Sequence, residues 1–100
     1  MILHIVSLVW MFDGPDIIQI DSALAELESK EKDCRFLRLI TICEVHFGPY
    51  RVSGSHHIFK TPWPGDPRIN IQKAGKLAKP YQVRQVVAAL RKLKAVRSIK

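Results

Sequence analysis

Acidic residues stop at Asp66: residues 67–100 carry ten lysines and arginines and no aspartate or glutamate, in a chain of 100 residues with net charge +7. That imbalance suggests a polyanionic partner, nucleic acid or an acidic protein, with a solvated basic helix end as the alternative on charge alone. Residues 1–33 are the opposite, with seven acids against Lys30 and Lys32. Cysteine is scarce, and Cys34 and Cys43 are too few and too widely spaced for a disulfide framework or a paired-thiol motif. A reducing, cytoplasmic setting is the simpler expectation. The only long apolar stretch, Ile2 to Phe12, is too short for a bilayer and has neither a basic leader nor a small-residue cleavage site. No signal peptide or membrane association is expected. Phosphate-binding glycine loops, Ser-His-Asp arrangements and paired catalytic carboxylates are missing as well. Cys43-x-x-His46 has no second ligand pair at zinc-site spacing, so no metal and no cofactor are expected.

What is present suffices for one domain with a modest core: 47% apolar and 25% charged residues in a single-domain length. Ile2 to Met11 and Ile17 to Ile20 have β-like character around the Asp13-Gly14-Pro15-Asp16 turn, read either as an added hairpin or as an upstream extension carried by an early start codon. Asp21-Ser22 reads as the cap of a short helix over Ala23–Glu28, followed by a charged linker, Ser29 to Asp33. Residues 1–32 therefore form an N-terminal extension and residues 33–100 the domain. Phe36, Leu39, Ile40, Cys43 and Phe47 recur at helical period, with Asp33 as cap and Gly48-Pro49 as stop. Cys43, on that stripe, reads as core rather than as a reactive thiol.

Three strands follow: Tyr50–Val52, His56–Lys60 and Arg68–Ile71. Ser53-Gly54-Ser55 supplies a tight reversal and Thr61 to Asp66 a longer loop. Pro80 suits the first turn of a final helix whose apolar stripe is Val83, Val86, Val87, Leu90 and Leu93, with Arg84 and Arg91 on one flank. Helix, three-stranded antiparallel sheet and helix make an α+β fold with both helices on one sheet face.

The chemistry concentrates at Gly54-Ser55-His56-His57-Ile58-Phe59-Lys60. Histidine exchanges protons near neutrality, and RNA carries its own nucleophile in the 2′-hydroxyl. Strand alternation sends His56 and His57 to opposite faces, which gives His57 a supporting role beside Phe59. Lys60, Lys76 and Lys79 are candidate phosphate contacts, extended by Arg84 and Arg91. Trp63 either stacks on a base or caps the core, with the core preferred; Tyr81 and Phe59 invite the same question.

The ordered set Gly54-Ser55-His56-His57-Ile58-Phe59, Ile69-Asn70-Ile71-Gln72, Gly75-Lys76 and Lys79-Pro80-Tyr81-Gln82-Val83-Arg84 resembles the HicA family of bacterial mRNA interferase toxins, from about Asp33 to Leu93. The resemblance implies a double-stranded-RNA-binding-domain-like fold, mRNA as substrate, RNA cleavage by His56 in the Gly54-Ser55-His56 element, and inhibition by a HicB-type antitoxin. The first thirty or so residues have no counterpart in that pattern. A non-catalytic RNA-binding module of the same fold is the competing expectation.

Overall fold

A computed structural model describes residues 16–64 and 68–98; the sequence-predicted strand over residues 2–11 lies outside them. The described chain runs α1 (Ile17–Ser29), α2 (Phe36–Phe47), β1 (Tyr50–Ser53), β2 (His56–Phe59), β3 (Ile69–Gln72) and α3 (Pro80–Ser98). The α+β class and the order helix, three-stranded antiparallel sheet, helix are as the sequence predicts, with α1 placed ahead of them. Among the described residues, no helix is long and apolar enough to cross a membrane.

The first helix corrects two expectations. Ile17 to Ile20 are helical, not strand, and the cap is Asp16 rather than Asp21. Asp16 accepts from the Gln19 backbone N–H at 2.9 Å while its own N–H donates to the Gln19 side chain at 2.9 Å. This capping box satisfies two otherwise unpaired donors and starts the helix at Ile17, six residues before the sequence-predicted start at Ala23. The spacing of Ile20, Ala23, Leu24 and Leu27 then puts all four on one buried stripe.

Helix α2 also starts differently from expectation. Its N-cap is Arg35, with no side-chain capping bond, so Asp33 does not cap it. The free N–H of Phe36 donates instead to the Lys76 carbonyl at 2.8 Å, and Ala78 N–H donates to the Cys34 carbonyl at 2.7 Å. An antiparallel bridge between Arg35 and Leu77 thus replaces the side-chain cap and ties the entrance of α2 to the approach to α3. At the other end Gly48, at φ 89°, closes the helix in a conformation that side chains disfavour, and Pro49 prevents continuation.

The sheet is a simple meander in the order β1-β2-β3. Phe59 pairs with Ile69 and His57 with Ile71, facing the helices; His56 pairs with Gln72 and Ile58 with Asn70, facing away. Phe59, Ile69 and Ile71 are buried with Phe36, Leu39, Ile40 and Cys43 of α2 and Val83, Val86, Val87, Leu90 and Leu93 of α3. The four apolar residues of α1 belong to that same core. The boundary drawn at residue 32 therefore falls inside one packed unit.

Four ion pairs line the flanks of α1. Glu28 meets Arg91, Glu31 meets Arg84 at 3.2 Å, Asp21 meets Lys94 at 2.7 Å, and Glu26 holds Arg38 through two bonds of 2.6 and 2.7 Å. Positions rising along α1 meet positions falling along α3, so the two helices run antiparallel. The hydrogen bond from Arg38 holds the Glu26 carboxyl below the ordinary glutamate range, and the same bond raises Arg38. Each exposed pair contributes about 0.2–1 kcal/mol, so the apolar stripe accounts for most of the stability of this contact.

The β1–β2 reversal uses two residues, Gly54 and Ser55. Only Gly54 has positive φ, at 61°, the pattern of a type II′ hairpin turn. A Cβ there meets nothing within 4 Å, so the requirement is conformational rather than steric. Gly54→Ala is expected to lower unfolding free energy by about 1–2 kcal/mol, measured by urea denaturation. An unchanged midpoint would show that the turn relaxes without cost.

Candidate active site

His56 is the first residue of β2, immediately after the Gly54-Ser55 turn, and its position follows from that turn. Ser55 is tied down twice: its carbonyl accepts from Lys73 N–H at 3.0 Å and its hydroxyl from the Gln72 side chain at 3.2 Å. These bonds fasten the turn to the end of β3. Gly54 and Ser55 thus support His56 through backbone geometry rather than through chemistry of their own.

The His56 ring lies on the sheet face away from the core, with Nδ1 3.0 Å from Asn70 Oδ1. Asn70 is the diagonal neighbour of His56 on the same face, one pleat from its direct partner Gln72. A carboxamide oxygen can only accept, so this bond puts the proton on Nδ1 and leaves the Nε2 lone pair as the basic atom. His56, Asn70, Gln72, Tyr81, Gln82 and Gln85 together line an open cleft of about 310 Å³. The first two turns of α3 form one wall and β3 the other.

His57 occupies the opposite face, as alternation requires. Its ring stands edge-on to Phe36 at 5.1 Å and tilted against Tyr50 at 5.0 Å, with Nδ1 buried and without a hydrogen-bond partner. Its place is between α2 and the sheet, so both imidazoles cannot reach one phosphate.

The basic candidates separate into three groups. Lys76 and Lys79 are exposed on the connection from β3 to α3, with Lys73 between them and Gln72. Among the described residues none of the three has a carboxylate within ion-pair distance, and Lys79 stands two residues before Tyr81 of the cleft. Lys60 is exposed but follows the far end of β2, four residues beyond His56, or about 13 Å at the rise of a strand. The structure does not bring it to the cleft. Arg84 and Arg91 face α1 and are held by Glu31 and Glu28, in place of the open basic track expected along α3.

The aromatic expectations divide likewise. Phe59 is fully buried. Trp63 packs on the core, edge-on to Phe47 at 6.3 Å with the Lys92 ammonium 4.7 Å above its ring, which is the core-capping role. Tyr81 is the exposed aromatic among the described residues, and it is the one beside His56. Cys34 and Cys43 are buried, and desolvation pushes both thiols up from their ordinary range, Cys43 far more. Neither fits a nucleophile.

Asn70, Gln72, Gln82 and Gln85 were not among the sequence-predicted site residues. The signal for the first two is the alternation Ile69-Asn70-Ile71-Gln72, which puts two carboxamides on the face that carries His56. Gln82 gives no such signal. It is only 1% exposed, its Nε2 donates to the Gln72 carbonyl at 3.2 Å, and its Oε1 is buried with no partner. A buried acceptor left unpaired costs about 1–3 kcal/mol.

Comparison with protein-family models, with characterised proteins and with solved structures finds no match to this chain.

Proposed function

We propose that this chain is a metal-independent endoribonuclease of the HicA type, a cytoplasmic toxin that cleaves mRNA and is held silent by a HicB-type antitoxin. The observation that carries the reading is the His56–Asn70 bond, which orients the one imidazole of an open cleft, with Lys76 and Lys79 exposed on the segment that leads into its α3 wall. Nε2 takes the proton of a ribose 2′-hydroxyl, and the 2′-oxygen attacks the adjacent phosphorus. The bond to the 5′-oxygen breaks, that oxygen leaving with the proton returned by His56. A 2′,3′-cyclic phosphate and a free 5′-hydroxyl result. The Asn70 carbonyl keeps the ring in one orientation through both transfers. Lys79 and Lys76 offset charge on the phosphate as it becomes five-coordinate, an effect of the oxyanion-hole kind.

The ordered Gly-Ser-His, Gly-Lys and Lys-Pro elements support the same reading from the sequence side. The experiment is incubation of end-labelled single-stranded RNA with purified full-length protein in EDTA. Fragments ending in cyclic phosphate are expected. Intact RNA that nonetheless binds in a salt-sensitive manner would replace the enzyme with a non-catalytic RNA-binding module.

A further inference from the structure

We infer that the cleft wall formed by Tyr81 and Gln82 is a nucleobase subsite, which takes one unstacked base next to the phosphate that His56 cleaves and so restricts the substrate to single-stranded RNA. The inference rests on the reading of this cleft as an RNA site and adds to it the form of RNA accepted.

Two independent observations carry it. Tyr81 is 53% exposed, although tyrosine rings bury readily, and it lies at the second position of α3, where the helix itself does not need a ring. Its neighbours in the cleft are His56, Asn70, Gln72 and Gln85, so an exposed π-face and several carboxamide donors and acceptors surround a single catalytic imidazole. Separately, Gln82 keeps a buried side-chain oxygen without a partner in the wall of that cleft. The lining of the cleft thus includes a residue whose acceptor lacks a donor, and the N–H and NH₂ groups on base edges are donors of that kind.

The chemistry selects unpaired nucleotides. In an A-form duplex both faces of each base are covered by its neighbours and its edge donors are engaged with the opposite strand, so neither Tyr81 nor Gln82 gains a partner. A nucleotide in a single strand offers a free face and a free edge. Stacking of this kind tolerates any base, since every base has a π-face, while the Gln82 oxygen favours those with an edge donor in reach.

The test uses full-length protein carrying His56→Ala, which keeps the RNA intact, and a single-stranded oligoribonucleotide with one 2-aminopurine. Binding is expected to quench the 2-aminopurine fluorescence. Adding Tyr81→Ala should weaken affinity about 5- to 100-fold and abolish the quenching, whereas Tyr81→Phe, which retains the ring, should stay within about twofold. A blunt RNA duplex should compete at least about tenfold more weakly than the single strand. Equal binding by Tyr81→Ala, equal weakness of Tyr81→Phe and Tyr81→Ala, or equal competition by duplex would each overturn the subsite. Failure of the ribonuclease reading looks different: protein with His56 intact leaves RNA whole, yet Tyr81→Ala still loses affinity and quenching. Unchanged urea midpoints of the Tyr81 variants confirm that binding, not folding, is being read.

Discussion

His56→Ala is expected to lower RNA cleavage by about 10²- to 10⁴-fold while RNA affinity changes by less than about threefold. His56 carries the one imidazole in the cleft, and the 2′-hydroxyl is a poor nucleophile until a base takes its proton. Affinity for RNA, by contrast, resides largely in charge, and the histidine is not needed to hold a phosphate near Lys73, Lys76 and Lys79. The two effects therefore separate on one variant. Asn70→Ala tests the same chemistry from outside the ring: cleavage should fall with affinity preserved, because the ring loses its orienting acceptor. Cleavage that persists in His56→Ala at the wild-type rate would remove the proposed mechanism. Loss of cleavage and affinity together would mean that the histidine only binds. Cleavage end-points by gel and affinity by fluorescence anisotropy, at one fixed salt concentration, read the two quantities independently.

Much of this fold is legible in the sequence because the patterns there are unambiguous. The stripe from Phe36 to Phe47 has only one helical reading, Gly48-Pro49 only one consequence, and all five apolar positions expected along α3 are buried. Strand alternation alone separates His56 from His57. The misreadings have physical causes of their own. Ile17-Ile18-Gln19-Ile20 is as compatible with a strand as with a helix, and the decision falls to a capping box at Asp16 and to the distant surface of α3. Asp33 resembles a cap, but the donor it would have satisfied is taken by the Lys76 carbonyl, a partner forty residues away. Arg84 and Arg91 look like an open cationic track until α1 lies alongside them. Charge counts along a chain do not reveal which opposite charges fold together; here Asp21, Glu28 and Glu31 of the acidic first third pair with Lys94, Arg91 and Arg84 of the basic last third. The orientation of His56 by Asn70 depends on strand register, which the chain specifies only once the Gly54 turn is formed.

Removal of residues 1–32 is expected to abolish cooperative folding, although the sequence elements resembling the toxin family all lie beyond that point. Helix α1 contributes Ile20, Ala23, Leu24 and Leu27 to the common core, and Ile20 and Leu27 are completely buried. Truncating one such leucine costs about 2–5 kcal/mol, against about 5–15 kcal/mol for a whole domain. Leu27→Ala should therefore lower the unfolding free energy by that amount, and loss of all four side chains should exceed the stability of what remains. The fragment 33–100 would expose the apolar side of α3 and show no sharp thermal transition, whereas a fragment starting at Asp16 should melt cooperatively. The ion pairs predict a much smaller effect: Glu28→Gln and Glu31→Gln should each cost no more than about 1 kcal/mol. The same two substitutions unpair Arg91 and Arg84, so they should steepen the salt dependence of RNA binding by up to one unit for each arginine that then reaches a phosphate. A stable, cooperative 33–100 fragment would make α1 an appendage. Its absence would make the acidic helix part of the protein's core, with Glu31 and Glu28 taking Arg84 and Arg91 out of the open cationic surface.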